Sequence, residues 1–157
     1  MSQNILLMSS YELGHQPISI AMTAAFLRRA GFDVTTHDLS VEDIPLEDAI
    51  NADFVGISTP MHTAMRLGVA AVKRLRQVNP SAHICFFGLY AYLNANYILN
   101  LNGQEVQKLA DSVIAGEYET PMVHLVKALQ NEDALSGVAG VMTQDKSSMP
   151  VITRQNY

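Results

Sequence analysis

The sequence predicts an open α/β domain: five strands in one mainly parallel sheet, with helices on both faces. Two observations carry this expectation. Short apolar runs alternate along the chain with stretches of helical apolar spacing, the pattern that right-handed strand–helix–strand crossovers impose. In addition, Phe54-Val-Gly-Ile57 is continuously apolar, as in a strand covered on both sides. Asn4-Ile-Leu-Leu-Met8 forms the first strand and breaks into the polar loop Ser9 to Gln16. Pro17 opens the first helix, and Gly31 follows its closing residues Arg28-Arg29-Ala30, so both ends are marked. Phe32 to His37 alternates apolar and polar residues, which places it at a sheet edge, whereas Phe54 to Ile57 is central. From Met61 to Val78, residues Ala64, Gly68, Ala71, Val72 and Leu75 recur at helical spacing until Asn79-Pro80 stops the helix. The strand Ile84-Cys-Phe-Phe87 follows, then a shorter helix around Asn94 to Leu101 with Gly103 behind it, and the strand Ser112-Val-Ile-Ala115. Thr120 caps a last helix with Met122, Leu125, Val126 and Leu129 on one face. Val138 to Met142 is a candidate for one more strand. The expected strand order is 2-1-3-4-5, the flavodoxin-like (Rossmann-like) arrangement.

The chain has 157 residues, with ten Lys and Arg against fifteen Asp and Glu, and so a formal net charge of −5. That length suits one domain whose core needs no disulfide or metal. A single cysteine, Cys85, excludes an internal disulfide framework and any site built from several thiolates. A pI near 5.4, with one dense basic stretch at Lys73-Arg74-Leu75-Arg76, argues against nucleic acid as a partner, because neutralising phosphates needs a concentrated basic face. Late in a helix, those cations suit the negative end of its dipole. Ile84 to Leu93, the most apolar stretch, is far short of the roughly 20 residues that span a bilayer, and no signal peptide opens the chain. The expectations are no membrane partner and a cytoplasmic location. Residues 1–142 are expected to form the domain, and 143–157, with Ser147-Ser148 and Pro150, to be a linker toward a further domain.

In open parallel sheets, ligands bind beyond the carboxyl ends of the strands, where connections diverge to opposite faces. The loops there are Ser9-Ser-Tyr-Glu-Leu-Gly-His-Gln16, Ser58-Thr-Pro-Met-His-Thr63, Gly88-Leu-Tyr-Ala-Tyr-Leu-Asn94 and Gly116-Glu-Tyr-Glu-Thr120. A dinucleotide calls for G-x-G-x-x-G after the first strand, and Gly14 stands alone there. The Gly-Lys-Ser/Thr of a P-loop is missing, and Ser9-Ser10 is a weak echo of a flavin-phosphate turn. The third strand ends in Ser58-Thr59 where a phosphoacceptor domain would have an acid. Large loops of mixed polarity without a phosphate cradle suit a bulky ligand held by many weak contacts, and a corrin is one such ligand.

Three stretches resemble the N-terminal cobalamin-binding domain of cobalamin-dependent radical S-adenosylmethionine (SAM) enzymes, over about Asn4 to Gln130. They are Ala52-Asp-Phe-Val-Gly-Ile-Ser58, the helix-to-strand run through Asn79-Pro80 to Phe86-Phe87-Gly88, and Ser112-Val-Ile-Ala-Gly-Glu-Tyr-Glu119 with its following apolar helix. The last is similar to the Gly-Glu-Gly-Glu signature of that group. Tyr11-Glu-Leu-Gly-His-Gln-Pro17, Pro60-Met-His-Thr63 and Gly88 to Asn94 resemble a branch whose members carry a cysteine- or selenocysteine-containing C-terminal tail. This chain has neither that tail nor the C-x-x-x-C-x-x-C motif of the group. The resemblance therefore implies the cobalamin module alone, with the 4Fe-4S cluster and SAM held by an absent radical SAM domain of the same longer chain. Cobalamin domains of the methionine-synthase kind carry D-x-H-x-x-G after the first strand. With its glycine on Gly14, Ser9 takes the place of the Asp and Tyr11 that of the His. The resemblance thus implies a corrin bound without a protein imidazole below the cobalt, unless His15 reaches the metal. It implies cofactor contacts from Ser10, Tyr11, Glu12, Leu13, Gly14 and His15, from Ser58, Thr59, Met61 and His62, from Gly88, Leu89 and Tyr90, and from Gly116, Glu117 and Tyr118. Methyl transfer or related radical chemistry belongs to the longer enzyme, and this chain alone is expected to catalyse nothing.

Each of these residues also has a structural reading. His15 touches the corrin or merely completes the loop ahead of Pro17, and His62 faces the site or solvates the start of its helix. His37, His83 and His124 read as structural. Glu117 and Glu119 accept hydrogen bonds from corrin amides or favour the start of the last helix. Tyr90 and Tyr92 wall the ring or pack on a sheet edge, Met61 and Met65 read as core or pocket lining, and Cys85 as inert. Two competing expectations stand beside the cobalamin one. A degenerate domain would dock to a catalytic neighbour or dimerise without corrin, and an FMN carrier is disfavoured by the missing phosphate loop.

Overall fold

A computed structural model of the chain describes residues 3–104, 108–145, 147 and 150–152. One sheet runs through it in the order β2-β1-β3-β4-β5-β6. β1 (Ile5–Ser9), β2 (Val34–Asp38), β3 (Phe54–Ser58), β4 (His83–Phe87) and β5 (Ser112–Ile114) are parallel, while β6 (Val141–Met142) runs antiparallel to β5. The expected order of the first five strands holds, and the sheet has six strands rather than five. The sixth is only two residues long, paired as Ile114↔Val141 and Val113↔Met142, too short for alternation to reveal its face.

Side-chain alternation splits the core into two layers. Leu6, Met8, Val55, Ile57, Ile84 and Phe86 face α2 (Leu46–Asn51), α3 (His62–Val78), α4 (Leu89–Leu93) and α5 (Ala95–Ile98). Ile5, Leu7, Phe54, Cys85, Phe87 and Ile114 face α1 (Ile18–Arg29) and α6 (Glu119–Gln130). The expected ends of α1 are observed. It closes on a Schellman pair, Gly31 N–H to Arg28 O at 3.0 Å and Phe32 N–H to Leu27 O at 3.1 Å, with Arg28 and Arg29 at the negative end of the dipole.

Three helices depart from expectation. The sequence reading assigns none between β2 and β3, yet Pro45 opens α2, a six-residue helix that buries only Ala49 and so carries almost no periodic signal. The helix expected around Asn94 to Leu101 is two short ones beginning directly behind Gly88. The last helix starts at Glu119 with Tyr118 at its N-cap, so Thr120 lies inside the first turn and does not cap it.

The chain leaves β1 toward α1 on one face and β3 toward α3 on the other. The two strands are adjacent, so the connections part company between their carboxyl ends, leaving the crevice where such sheets take ligands.

Candidate functional site

The polar groups of the interior are gathered at that crevice. Among the described residues, the buried polar side chains are Ser9, Ser10, Ser19, Thr23, Ser58, Thr59, Asn79 and Ser112. The first six lie at the carboxyl ends of β1 and β3 or on the opening turns of α1. Ser9 and Ser58 are register partners and both point toward α1 and α6. Ser58 Oγ donates to Ser19 Oγ at 2.6 Å, and Ser19 Oγ donates to the Glu12 carboxylate. Thr23 Oγ1 donates to Ser19 O at 2.8 Å, the i−4 back-bond available to a hydroxyl within a helix. On the other side Ser10 Oγ donates to Ala64 O at 2.7 Å, and Thr59 Oγ1 reaches Phe87 O at 3.2 Å. Ser9 Oγ is the one buried side-chain polar atom, among the described residues, with no hydrogen-bond partner. A buried hydroxyl left unpaired costs about 1–3 kcal/mol, so it marks a place where a ligand atom would be welcome.

An apolar rim surrounds this polar floor. Leu13, Ile18 and Leu89 stand at the crevice mouth with 65%, 67% and 63% of their surface exposed. Leu13 sits at the tip of a tight turn closed by His15 N–H to Glu12 O at 2.9 Å, with φ of 54° at Leu13 and 76° at Gly14. A left-handed leucine is costly, and here it turns an apolar side chain outward. Gly88 has φ of 99°, and a Cβ there would lie 3.1 Å from the Thr59 carbonyl carbon and oxygen. Its smallness is thus required by the neighbouring β3–α3 loop, which bonds back through Tyr90 N–H to Thr59 O at 3.1 Å.

The residues expected at the site all reach the carboxyl edge, but they divide between its two sides. Glu12, Ser58 and Tyr118 belong with α1 and α6. The Tyr118 ring lies 4.9 Å from Phe87, and burial, followed by the charges of Glu119 and Glu12, pushes its phenol up to about 12. Tyr118 therefore stays a neutral donor. On the far side of α3, His62 meets Tyr90 edge-on at 6.2 Å. Both line a cavity of about 320 Å³ with Met65, Arg66, Val69, Asn94 and Tyr97. Ser10 and Thr59 are buried between the two sides; Tyr11 and Met61 are half-buried, and Gly14 and His15 are exposed on the turn. Gly116 and Glu117 follow β5, where Glu117 N–H donates to Val151 O at 2.9 Å. Ser9 is missing from the expected contacts, and Ser19 and Thr23 are missed altogether. Their one signal is a pair of hydroxyls four apart on the face of α1 that also carries Ile20, Ala24 and Leu27.

Two of the histidines read as structural, His37 and His83, make side-chain contacts within the fold. His37 lies between Glu42 (3.0 Å) and Asp48 (2.9 Å), and His83 stacks on Phe54 with its ring 2.8 Å from Ser112 Oγ. His124 is exposed on α6. Burial pushes the Cys85 thiol up to about 12, consistent with an inert side chain. Among the described residues no group of three or more His, Cys, Asp and Glu side chains is placed to hold a metal ion, and no helix is long and apolar enough to cross a membrane.

A doubly wound sheet with buried hydroxyls gathered at its switch point is the architecture in which open α/β domains take their ligands. The model of the B12 binding domain family matches residues 5–126, and the chain belongs to that family. Its fold is similar to two structures of the radical S-adenosylmethionine methyltransferase TsrM from Kitasatospora setae. One has cobalamin and a 4Fe-4S cluster bound (TM-score 0.72, 14% identity, 91% of this chain covered). The other has tryptophan substrate and a SAM analogue bound (TM-score 0.73, 14% identity, 93% covered). This chain spans 29% and 30% of their lengths. No curated protein sequence matches it. Cobalamin is the cofactor of the family, as the resemblance read from the sequence implied.

Proposed function

We propose that the domain binds cobalamin across the carboxyl edge of its sheet and serves as the cobalamin module of a larger radical SAM enzyme. The 4Fe-4S cluster and SAM would lie in a separate domain of that enzyme. The observation that carries the binding assignment is the hydroxyl cluster at the switch point with Ser9 Oγ unpaired inside it. Cobalamin joins a broad, largely apolar macrocycle to amide side chains and a tail bearing a phosphate and a ribose. The apolar rim of Leu13, Ile18 and Leu89 suits the first, and the Ser9, Ser19, Ser58 floor suits the second. The side chains of Ser10 and Thr59 fix the β1 and β3 ends by bonding across to Ala64 O and Phe87 O, so the floor is held before any ligand arrives.

Tyr11, where the related signature has its histidine, offers only a phenol, and His15 lies exposed beyond it on the turn. The reading is therefore a corrin held without a protein imidazole. When bound, cobalamin supplies a cobalt centre able to carry methyl groups; this chain's residues bind and orient it.

Mixing the domain with hydroxocobalamin, desalting and recording the absorption spectrum tests both points. Retained corrin with the same spectrum in wild type and His15→Ala is the expected result. A changed spectrum in that variant would make His15 the ligand, and a colourless protein would favour the docking or dimerisation reading.

A further inference from the structure

We propose that Glu12 is a built-in plug of this site. Its carboxylate holds the place that an anionic group of the ligand requires, and it must swing away for cobalamin to seat. The inference rests on the cobalamin reading above and concerns how that site is gated.

Three observations point to it. First, Glu12 acts as a substitute anion. α1 has no acidic residue in its first turn and no side-chain cap, although a helix start favours negative charge. Glu12, seven residues upstream of Ser19, supplies that charge by accepting the Ser19 hydroxyl hydrogen. Second, the relay consumes its donors. Ser58 gives its hydrogen to Ser19 and Ser19 gives its own to Glu12, each hydroxyl having only one, and Ser9, fully buried beside Ser58, is left without a partner. A phosphate arriving in place of Glu12 would accept from Ser19 through one oxygen and carry further oxygens as acceptors for Ser9. Third, the plug is carried on a strained support. Glu12 opens the turn whose next residue, Leu13, is left-handed at φ 54°, a conformation costly for leucine though not for the left-handed Gly14 that follows.

The two charges that act on Tyr118 are both negative. Tyr118 is neutral, and both Glu12 and Glu119 act on it. A ligand bearing a phosphodiester therefore enters against Glu12, whereas a corrinoid lacking the phosphate and nucleotide does not. The plug delays and weakens capture of complete cobalamin in particular.

The test compares wild type, Glu12→Gln and Glu12→Ala, each titrated with hydroxocobalamin and with dicyanocobinamide, which has no phosphate or nucleotide. Removing the negative charge should tighten cobalamin binding about tenfold in both variants and leave cobinamide affinity unchanged. Glu12 lies in a loop, so neither variant depends on refolding a core element. Unchanged or weakened cobalamin binding in both, with corrin still retained by wild type, overturns the plug and leaves the cobalamin reading standing. If all three proteins stay colourless with both corrinoids, the cobalamin reading itself fails and the plug with it.

Discussion

His83 shows how burial of one side chain becomes a property of the whole domain. Its ring stacks on Phe54 at a centroid distance of 5.6 Å and an angle of 8°, with a nitrogen 2.8 Å from Ser112 Oγ. Burial is the main cause that lowers its pKa from 6.5 to about 4, with Lys108 and Arg76 adding to it and Asp111 opposing. Between those two values the unfolded chain binds a proton that the folded chain refuses, so stability falls as the pH drops from about 6.5 to 4 and is complete above that window. The gap is equivalent to up to about 3 kcal/mol. Nearby Asp111 behaves differently: burial works to raise its pKa, but the Ile84 amide and the Arg76 guanidinium outweigh it and hold the carboxyl below its usual value. Its contribution is lost only at lower pH, below 3.8, so the two titrations are separable. Urea unfolding at a series of pH values should show the loss between pH 6.5 and 4 in wild type, and a nearly flat profile over that range in His83→Gln.

At the scale of elements, α2 is held more by a side chain from elsewhere than by its own sequence. The buried Asn79, at the end of α3, donates through Nδ2 to the carbonyls of Ala49 (2.9 Å), Ile50 (3.1 Å) and Ala52 (2.8 Å), while its Oδ1 accepts from Ala82 N–H and Ser81 Oγ, both at 3.0 Å. One amide thus closes the end of α2 and the turn into β4. Asn79→Ala leaves carbonyls at the end of α2 without a donor and should cost about 3 kcal/mol, read as a lowered urea midpoint. Asn79→Asp should cost more, since it turns a carboxylate toward three carbonyl oxygens. This explains why α2 escapes a reading of local pattern. Strands β1, β3 and β4 and helices α1 and α3 announce themselves by runs or periodicity that burial imposes on each segment separately. Six residues with only Ala49 buried carry no such record, and their fixing point lies about thirty positions downstream.

For the whole molecule, the location of the site was legible and its contents only partly so. Strand order alone directs attention to the ends of β1 and β3, and the contacts expected there include Ser10, Ser58 and Thr59, half of the six buried hydroxyls at the crevice. Ser9, Ser19 and Thr23 look ordinary in sequence, because their meaning arises when register sets Ser9 beside Ser58 and α1 brings Ser19 onto Ser58. The return of the chain at Val151 is less legible still. Where β6 turns away from β5, Val151 takes its place, with its N–H on Ala115 O at 3.3 Å and its carbonyl receiving Glu117 N–H. Two left-handed glycines make the seat. A Cβ on Gly116 would collide with the Val151 carbonyl and lie 2.8 Å from its nitrogen, and one on Gly140 would come within 2.9 Å of Val151 Cγ2. Val151 therefore braces the β5–α6 loop that carries Glu117 and Tyr118, tying the far edge of the sheet to the candidate crevice. Gly116→Ala should unseat Val151 while leaving β1, β3 and β4 intact. Hydrogen exchange at the Glu117 amide should then accelerate at least about tenfold, with the amides of the central strands unchanged. If the Glu117 amide stayed as protected as in wild type, the brace would be incidental and the loop would owe its shape to β5 and α6 alone.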